Sequence, residues 1–175
     1  MKEFKGIIAA MVTPFNEDGS VNYEKEKNVI NHFISKGIHG ILASGGTGEA
    51  SLMNITERKQ VIKTACDMLA DTDLFCIAGV SCSSTKETVE LAEYASKSGA
   101  DYILIQPPHG YPVTKAGMIE YFEEIKKNID CGMVLYHFPA ETGVEFSAEQ
   151  IAEWGHAGLF QAVKNTTSME HTMEL

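Results

Sequence analysis

A chain of 175 residues has room for one domain with a proper core, and 44% hydrophobic content with 22% charge is the composition of a globular protein. The 24 acidic side chains against 14 basic ones leave a net charge of −10, which argues against nucleic acid and anionic membrane surfaces as partners. No apolar run reaches ~18 residues, and the start Met1-Lys2-Glu3-Phe4-Lys5 lacks a long apolar leader. Cys66, Cys76, Cys82 and Cys131 show no zinc-like spacing, so a cytoplasmic, reduced protein is expected.

Residues 6–12 form an apolar run stopped by Thr13, Pro14 and a turn at 16–19, which predicts a first strand. Val29, Ile30, Phe33 and Ile34 share one face of a helix over 22–36, with Gly37 at its C′ position. A second strand at 38–43 leads into the loop Ser44-Gly45-Gly46-Thr47-Gly48-Glu49. Asn54 or Thr56 caps a second helix running to about Leu69, with Val61, Ile62, Ala65 and Leu69 inward. A third strand is expected at 74–80, a third helix at 85–98 closed by Gly99, and a fourth strand at 102–105. The loop at 107–112 carries His109, Gly110 and Tyr111, and a helix over 115–128 leads to a fifth strand at 133–136. Ser147 with Gln150 makes a capping box for a short helix ending near Trp154. A sixth strand follows at 159–164, and Ser168 begins a sixth helix.

Six strand–helix alternations imply a parallel sheet with helices outside it. An open doubly wound sheet fits, as does a (β/α)8 TIM barrel truncated after its sixth strand, with residues 1–175 as one partial barrel domain. The dinucleotide-binding version of the open sheet wants a glycine fingerprint after its first strand, and Val12-Thr13-Pro14-Phe15 offers none. The barrel also places the unusual residues sensibly. Its catalytic groups sit at the C-terminal strand ends, which is where the glycine loop, His109, Tyr136, His137 and Lys164 fall.

Lys164 ends an apolar run that reads as a strand covered on both faces. Desolvation disfavours an ammonium ion, and an unprotonated amine attacks carbonyl carbon. Against this stands the reading of Lys164 as a solvated residue just past its strand. Tyr136 closes the neighbouring strand, roughly 4.8 Å away, and a phenol beside an amine can shuttle protons; an aromatic plug for the barrel mouth is the alternative. The loop at Gly45, Gly46, Thr47 and Gly48 is no nucleotide fingerprint, but its backbone amides could cradle a small carboxylate, or it is simply a tight turn. His109 and His137 lack a carboxylate at recognisable spacing, so no metal is expected. His32, His39, His156 and His171 read as ordinary histidines.

Taken together, these motifs resemble the dihydrodipicolinate synthase / N-acetylneuraminate lyase family, pyruvate-handling class I lyases on a (β/α)8 barrel. The resemblance lies in residues 6–15, in Gly45-Gly46-Thr47-Gly48-Glu49, in the run 134–143 around Tyr136, and in Ala162-Val163-Lys164-Asn165-Thr166-Thr167. It implies that Lys164 forms an imine with pyruvate or a related 2-oxo acid and that Tyr136 transfers protons. Thr47 and the amides of Gly46 and Gly48 would hold the substrate carboxylate, with His109, Tyr111 and Glu141 completing the substrate site. No cofactor is implied, and a homo-oligomer, dimer or tetramer, is.

Three departures from the family pattern bear on the substrate. Gly46 stands where the family usually has a serine or threonine of its proton relay. Gly110 stands where the synthase offers a tyrosine, with Tyr111 next door. Glu141 stands where the synthase has an arginine for its second substrate's carboxylate, which a glutamate would repel. A sugar-acid-type aldolase or dehydratase is therefore expected. The alternatives are 4-hydroxy-tetrahydrodipicolinate synthase activity proper, or a non-catalytic barrel fragment serving as a binding subunit.

Overall fold

A computed structural model describes residues 2–108 and 113–175. Six strands, β1 (Ile8–Ala10), β2 (Gly40–Ala43), β3 (Phe75–Gly79), β4 (Tyr102–Ile105), β5 (Gly132–His137) and β6 (Ala162–Asn165), form one parallel sheet in chain order. A doubly wound sheet reverses its strand order at a switch point; this one never does, so every right-handed crossover stacks its helix on the same side. The fold is six of the eight βα units of a (β/α)8 barrel.

The helices start where side chains satisfy their free amides. Asn22 caps α1 (Tyr23–Ile34), Ser84 caps α3 (Thr85–Lys97) and Thr114 caps α4 (Lys115–Lys127). Asn54 with Glu57 forms a capping box on α2 (Ile55–Leu69). A short helix α5 (Pro139–Thr142), not expected from the sequence, opens on a proline and closes at Gly143 with φ 68°. Ser147 and Gln150 box α6 (Ala148–His156), and Ser168 caps α7 (Met169–Glu174). No helix among the described residues is long and apolar enough to cross a membrane.

Side-chain alternation along the strands gives the sheet two apolar faces. The outer one, with Ile41, Ile103, Met133 and Leu135, meets Ile30, Ile62, Leu91 and Phe122 of the helices. The inner one collects Leu42, Phe75, Ile77, Tyr102, Leu104 and Val134. The N-terminal segment seals the lower end of the strands, with the Phe4 ring 5.3 Å from Phe75 and 5.0 Å from Tyr102. Lys2 Nζ donates to the carbonyls of Leu69 and Leu74, each at 2.7 Å, and Asp101 accepts from the amides of Lys2 and Cys76.

The sixth strand differs from expectation. It runs three residues later than its predicted start, and all four of its residues are half-buried. Its one pairing neighbour among the described residues is β5. Phe160, read as part of the strand, packs into the outer core instead, beside Phe122 and Trp154.

Candidate active site

A cavity of about 660 Å³ opens at the C-terminal ends of the strands. Tyr136 and Lys164 are register partners across β5 and β6, and both side chains line this cavity. The Lys164 Nζ lies 3.4 Å from the centroid of the Tyr136 ring, close enough for a cation–π contact. Tyr136 stacks in turn on Phe138, with ring centroids 5.7 Å apart. Lys164 is half-buried rather than buried.

Gly46 and Thr47 form the exposed rim of the cavity after β2. The amides of Gly48, Glu49 and Ala50 turn back onto the carbonyls of Gly45 and Gly46. Among the described residues, the amides of Gly46 and Thr47 have no such partner. A Cβ on Gly46 would meet nothing within 4 Å, so the missing side chain is open cavity. Gly48 does not line the cavity. It is buried under the loop, where a Cβ would come 2.9 Å from the Met11 carbonyl, and its own carbonyl accepts from Thr13 Oγ1 at 2.7 Å.

Arg58 also reaches the cavity, from inside. Its Nε donates to Ser44 Oγ (3.0 Å), its Nη1 to the Ser81 carbonyl (2.8 Å) and its Nη2 to the Gly79 carbonyl (2.9 Å). Burial pushes this guanidinium below its ordinary value, and Cys82 partly offsets the effect. The network ties the loop after β2 to the end of β3. The two approach so closely that a Cβ on Gly79 would sit 2.3 Å from the Ser44 carbonyl. Sequence reasoning passed over Arg58, although its spacing from Val61 and Ile62 puts a charge on the inward face of α2. Ser44, Ser81 and Gln106 were missed too, having no signal beyond their place at strand ends.

Glu141, on α5, lines the opposite side and accepts from Gln106 Nε2 at 3.3 Å. His137 sits one residue beyond Tyr136 and faces the other way. It is buried outside the cavity, bonded to Asn165 and to the Phe146 amide. His109 and Tyr111 lie outside the described residues. Among the described residues no group of three His, Cys, Asp or Glu side chains is arranged to hold a metal.

A parallel barrel sheet with an amine and a phenol paired at adjacent strand ends defines a recognisable class of protein, and sequence comparison agrees with it. The chain belongs to the Dihydrodipicolinate synthetase family, whose sequence profile matches residues 3–175. It is 37% identical over 153 residues to a 4-hydroxy-tetrahydrodipicolinate synthase of Thermoanaerobacter sp. (strain X514), covering 87% of this chain and 51% of the relative. Among solved structures, YagE of E. coli K12, a prophage protein of the dihydrodipicolinic acid synthase family in complex with pyruvate, aligns with a TM-score of 0.92 at 28% identity. That alignment covers 98% of this chain and 58% of YagE. A Ruminococcus gnavus sialic acid aldolase catalytic lysine mutant aligns with a TM-score of 0.87 at 26% identity, covering 95% of this chain and 56% of that one. The chain spans about half the length of the curated relatives it matches.

Proposed function

We propose that the protein is a Schiff-base lyase acting on pyruvate or a related 2-oxo acid. The observation that carries this reading is the Lys164 amine 3.4 Å from the Tyr136 ring at the mouth of an open cavity. The amine adds to the C2 carbonyl of the acid, and the carbinolamine loses water to give an imine. Each step moves a proton on or off oxygen or nitrogen, and the Tyr136 phenol carries it. The imine nitrogen then accepts the electron pair released when a bond to C3 is broken, or supplies it when one is made. The amides of Gly46 and Thr47 hold the substrate carboxylate. The pyruvate bound to YagE and the lysine named as catalytic in the Ruminococcus aldolase favour the same chemistry.

The far end of the cavity selects the second reactant. Glu141 and Gln106 offer an acceptor-rich pair there, which suits the hydroxyls of a sugar-acid-type substrate and repels a second carboxylate. The synthase reaction is the second reading, favoured by the names of the relatives.

Borohydride reduces an imine to a stable secondary amine. With pyruvate, the mass of the protein should rise by one reduced pyruvyl group, mapped to Lys164. Lys164→Arg keeps the charge but forms no imine, so trapping and turnover should both vanish. Trapping spread over many lysines, or unchanged in the arginine variant, overturns the proposal.

A further inference from the structure

On the outer face of the same two strand ends, four groups close a ring of hydrogen bonds. The Phe146 amide donates to His137 Nε2 at 3.1 Å, and His137 Nδ1 lies 2.9 Å from Asn165 Oδ1. Asn165 Nδ2 lies 3.3 Å from His171 Nδ1, and His171 Nε2 lies 2.8 Å from the Phe146 carbonyl. The backbone fixes every proton in this ring. An amide N–H only donates, so His137 Nε2 is bare and its Nδ1 carries the hydrogen given to Asn165. A carbonyl only accepts, so His171 Nε2 carries a hydrogen and its Nδ1 accepts from Asn165. The second Nδ2 hydrogen of Asn165 goes to Thr172 Oγ1 at 2.9 Å. Both histidines are therefore neutral, and the asparagine fits in one orientation only.

We propose that this ring positions Lys164, and that protonating its histidines releases the strand end on which the lysine stands. The inference rests on the reading of Lys164 as the reactive amine. Asn165 is the next residue along β6, and His137↔Asn165 is the next register pair after Tyr136↔Lys164. Among the described residues, the end of β6 is held by the β5 ladder and by this ring. The ring also binds in α7 through His171 and Thr172, and the segment before α6 through Phe146.

Added protons break the ring at defined places. A second hydrogen on His137 would point at the Phe146 N–H, donor against donor. One on His171 would point at the Asn165 amide nitrogen. The charged groups around the ring are Glu145, beside His137, and Glu149 of α6, beside His171. Burial holds His137 below the ordinary histidine range, with His171 adding to the depression and Asn165 and Glu145 opposing it. A depressed histidine stabilises the fold above its ordinary range, and that contribution is lost as pH falls through the folded value. The ring is thus closed at neutral pH and opens on acidification.

The test reads the lysine directly in the 175-residue chain. With its Nζ 3.4 Å from the Tyr136 centroid, the Lys164 ε-methylene carries an upfield ring-current shift in the proton NMR spectrum, whether or not the protein turns over. Asn165→Ala should abolish most of that shift and expose the Phe146 amide to hydrogen exchange. It should also slow pyruvate trapping by roughly 10²-fold, the scale of a misplacement of about 1 Å. Wild type should lose the same shift as the pH is lowered. Asn165→Asp should behave oppositely, because its carboxylate accepts from His137 and also from a protonated His171, closing the ring in the acid form. An unchanged shift in Asn165→Ala, or the same pH profile for wild type and Asn165→Asp, overturns the inference. If the shifts move as stated while no pyruvate is trapped on Lys164, the ring stands and the lyase reading falls.

Discussion

At the lower end of the strands, Phe4, Phe75 and Tyr102 stack into one another, while Lys2 and Asp101 take up the carbonyls and amides that the strand starts leave over. At the upper end the backbone is left-handed at Ser44 and at Glu49, each with φ 55°, and Tyr136 and Lys164 stand half-exposed over a cavity. One end is filled and paired; the other keeps strain and unengaged polar groups. In this fold stability and chemistry are expected to divide in that way, because the loops after the strands are free to vary while the ends before them must close the barrel. The two ends should therefore respond differently to substitution.

The largest effect should come at the upper end. Tyr136→Phe keeps the ring over which Lys164 lies and removes only the phenolic proton. Turnover should fall by roughly 10²–10⁴-fold, the range of a general acid–base group, with the melting temperature held. Activity within a factor of two of wild type would make Tyr136 a packing aromatic.

The lower end should show the reverse. Phe75 is 1% exposed and packs against Phe4 and Tyr102 at the start of its strand. Phe75→Ala should cost about 3–5 kcal/mol, measured by denaturant unfolding. The folded fraction should still trap pyruvate at the wild-type rate. A trapping rate that fell with stability would mean that the two ends are coupled.

How far the sequence discloses these regions depends on what each residue's role depends on. The strand–helix alternation was legible because periodicity is local, and so was the Ser147/Gln150 capping box, whereas the sequence left Asn54 and Thr56 open as caps of the second helix and the fold takes Asn54. The pairing of Tyr136 with Lys164 was legible because both close strands adjacent in chain order. The burial of Lys164 was not, since it is set by which strands lie beside β6. His171 read as an ordinary histidine because its partners, Asn165 and the Phe146 carbonyl, are brought to it only by the fold. Gly48 read as a carboxylate ligand by its place in a glycine run, yet its close approach to Met11 depends on how the loop folds back. The short α5 escaped because four residues are too few to show a period.

Two buried ionisable side chains sharpen the contrast within the upper half. Arg58 has its donors taken by Ser44, Ser81 and Gly79. Glu26, in the first turn of α1, is fully buried, and among the described residues neither carboxyl oxygen has a hydrogen-bond partner. Burial raises its pKa from 4.5 to about 8. The folded chain therefore holds this proton up to about pH 8, while the unfolded chain releases it near 4.5, so stability falls as pH rises through that window. Keeping the carboxyl protonated at pH 7 costs about 3 kcal/mol. Glu26→Leu should recover about that much at pH 7, with a gain that grows from pH 4.5 towards 8. A pH-independent difference between the two proteins would show that Glu26 finds a partner in solution.

The smallest effect should be the most informative about the strain. Glu49 holds a left-handed conformation, which disfavours any residue with a Cβ by about 1–2 kcal/mol. Its side chain is exposed and caps nothing in the turn that follows. The hydrogen bond that its backbone N–H donates to the Gly46 carbonyl survives any substitution other than proline. Glu49→Gly removes the strain, and after the entropy that glycine adds to the unfolded chain the net gain should be about 0.5–1 kcal/mol. Glycine also widens the conformations open to the turn that carries the Gly46 and Thr47 amides, the groups proposed to hold the substrate carboxylate. The expected pair of results is a higher melting temperature with weaker pyruvate capture, read from the concentration that half-saturates trapping. A lower melting temperature would mean that the turn is not strained. Capture unchanged at a higher melting temperature would mean that the upper end merely tolerates its strain and does not use it.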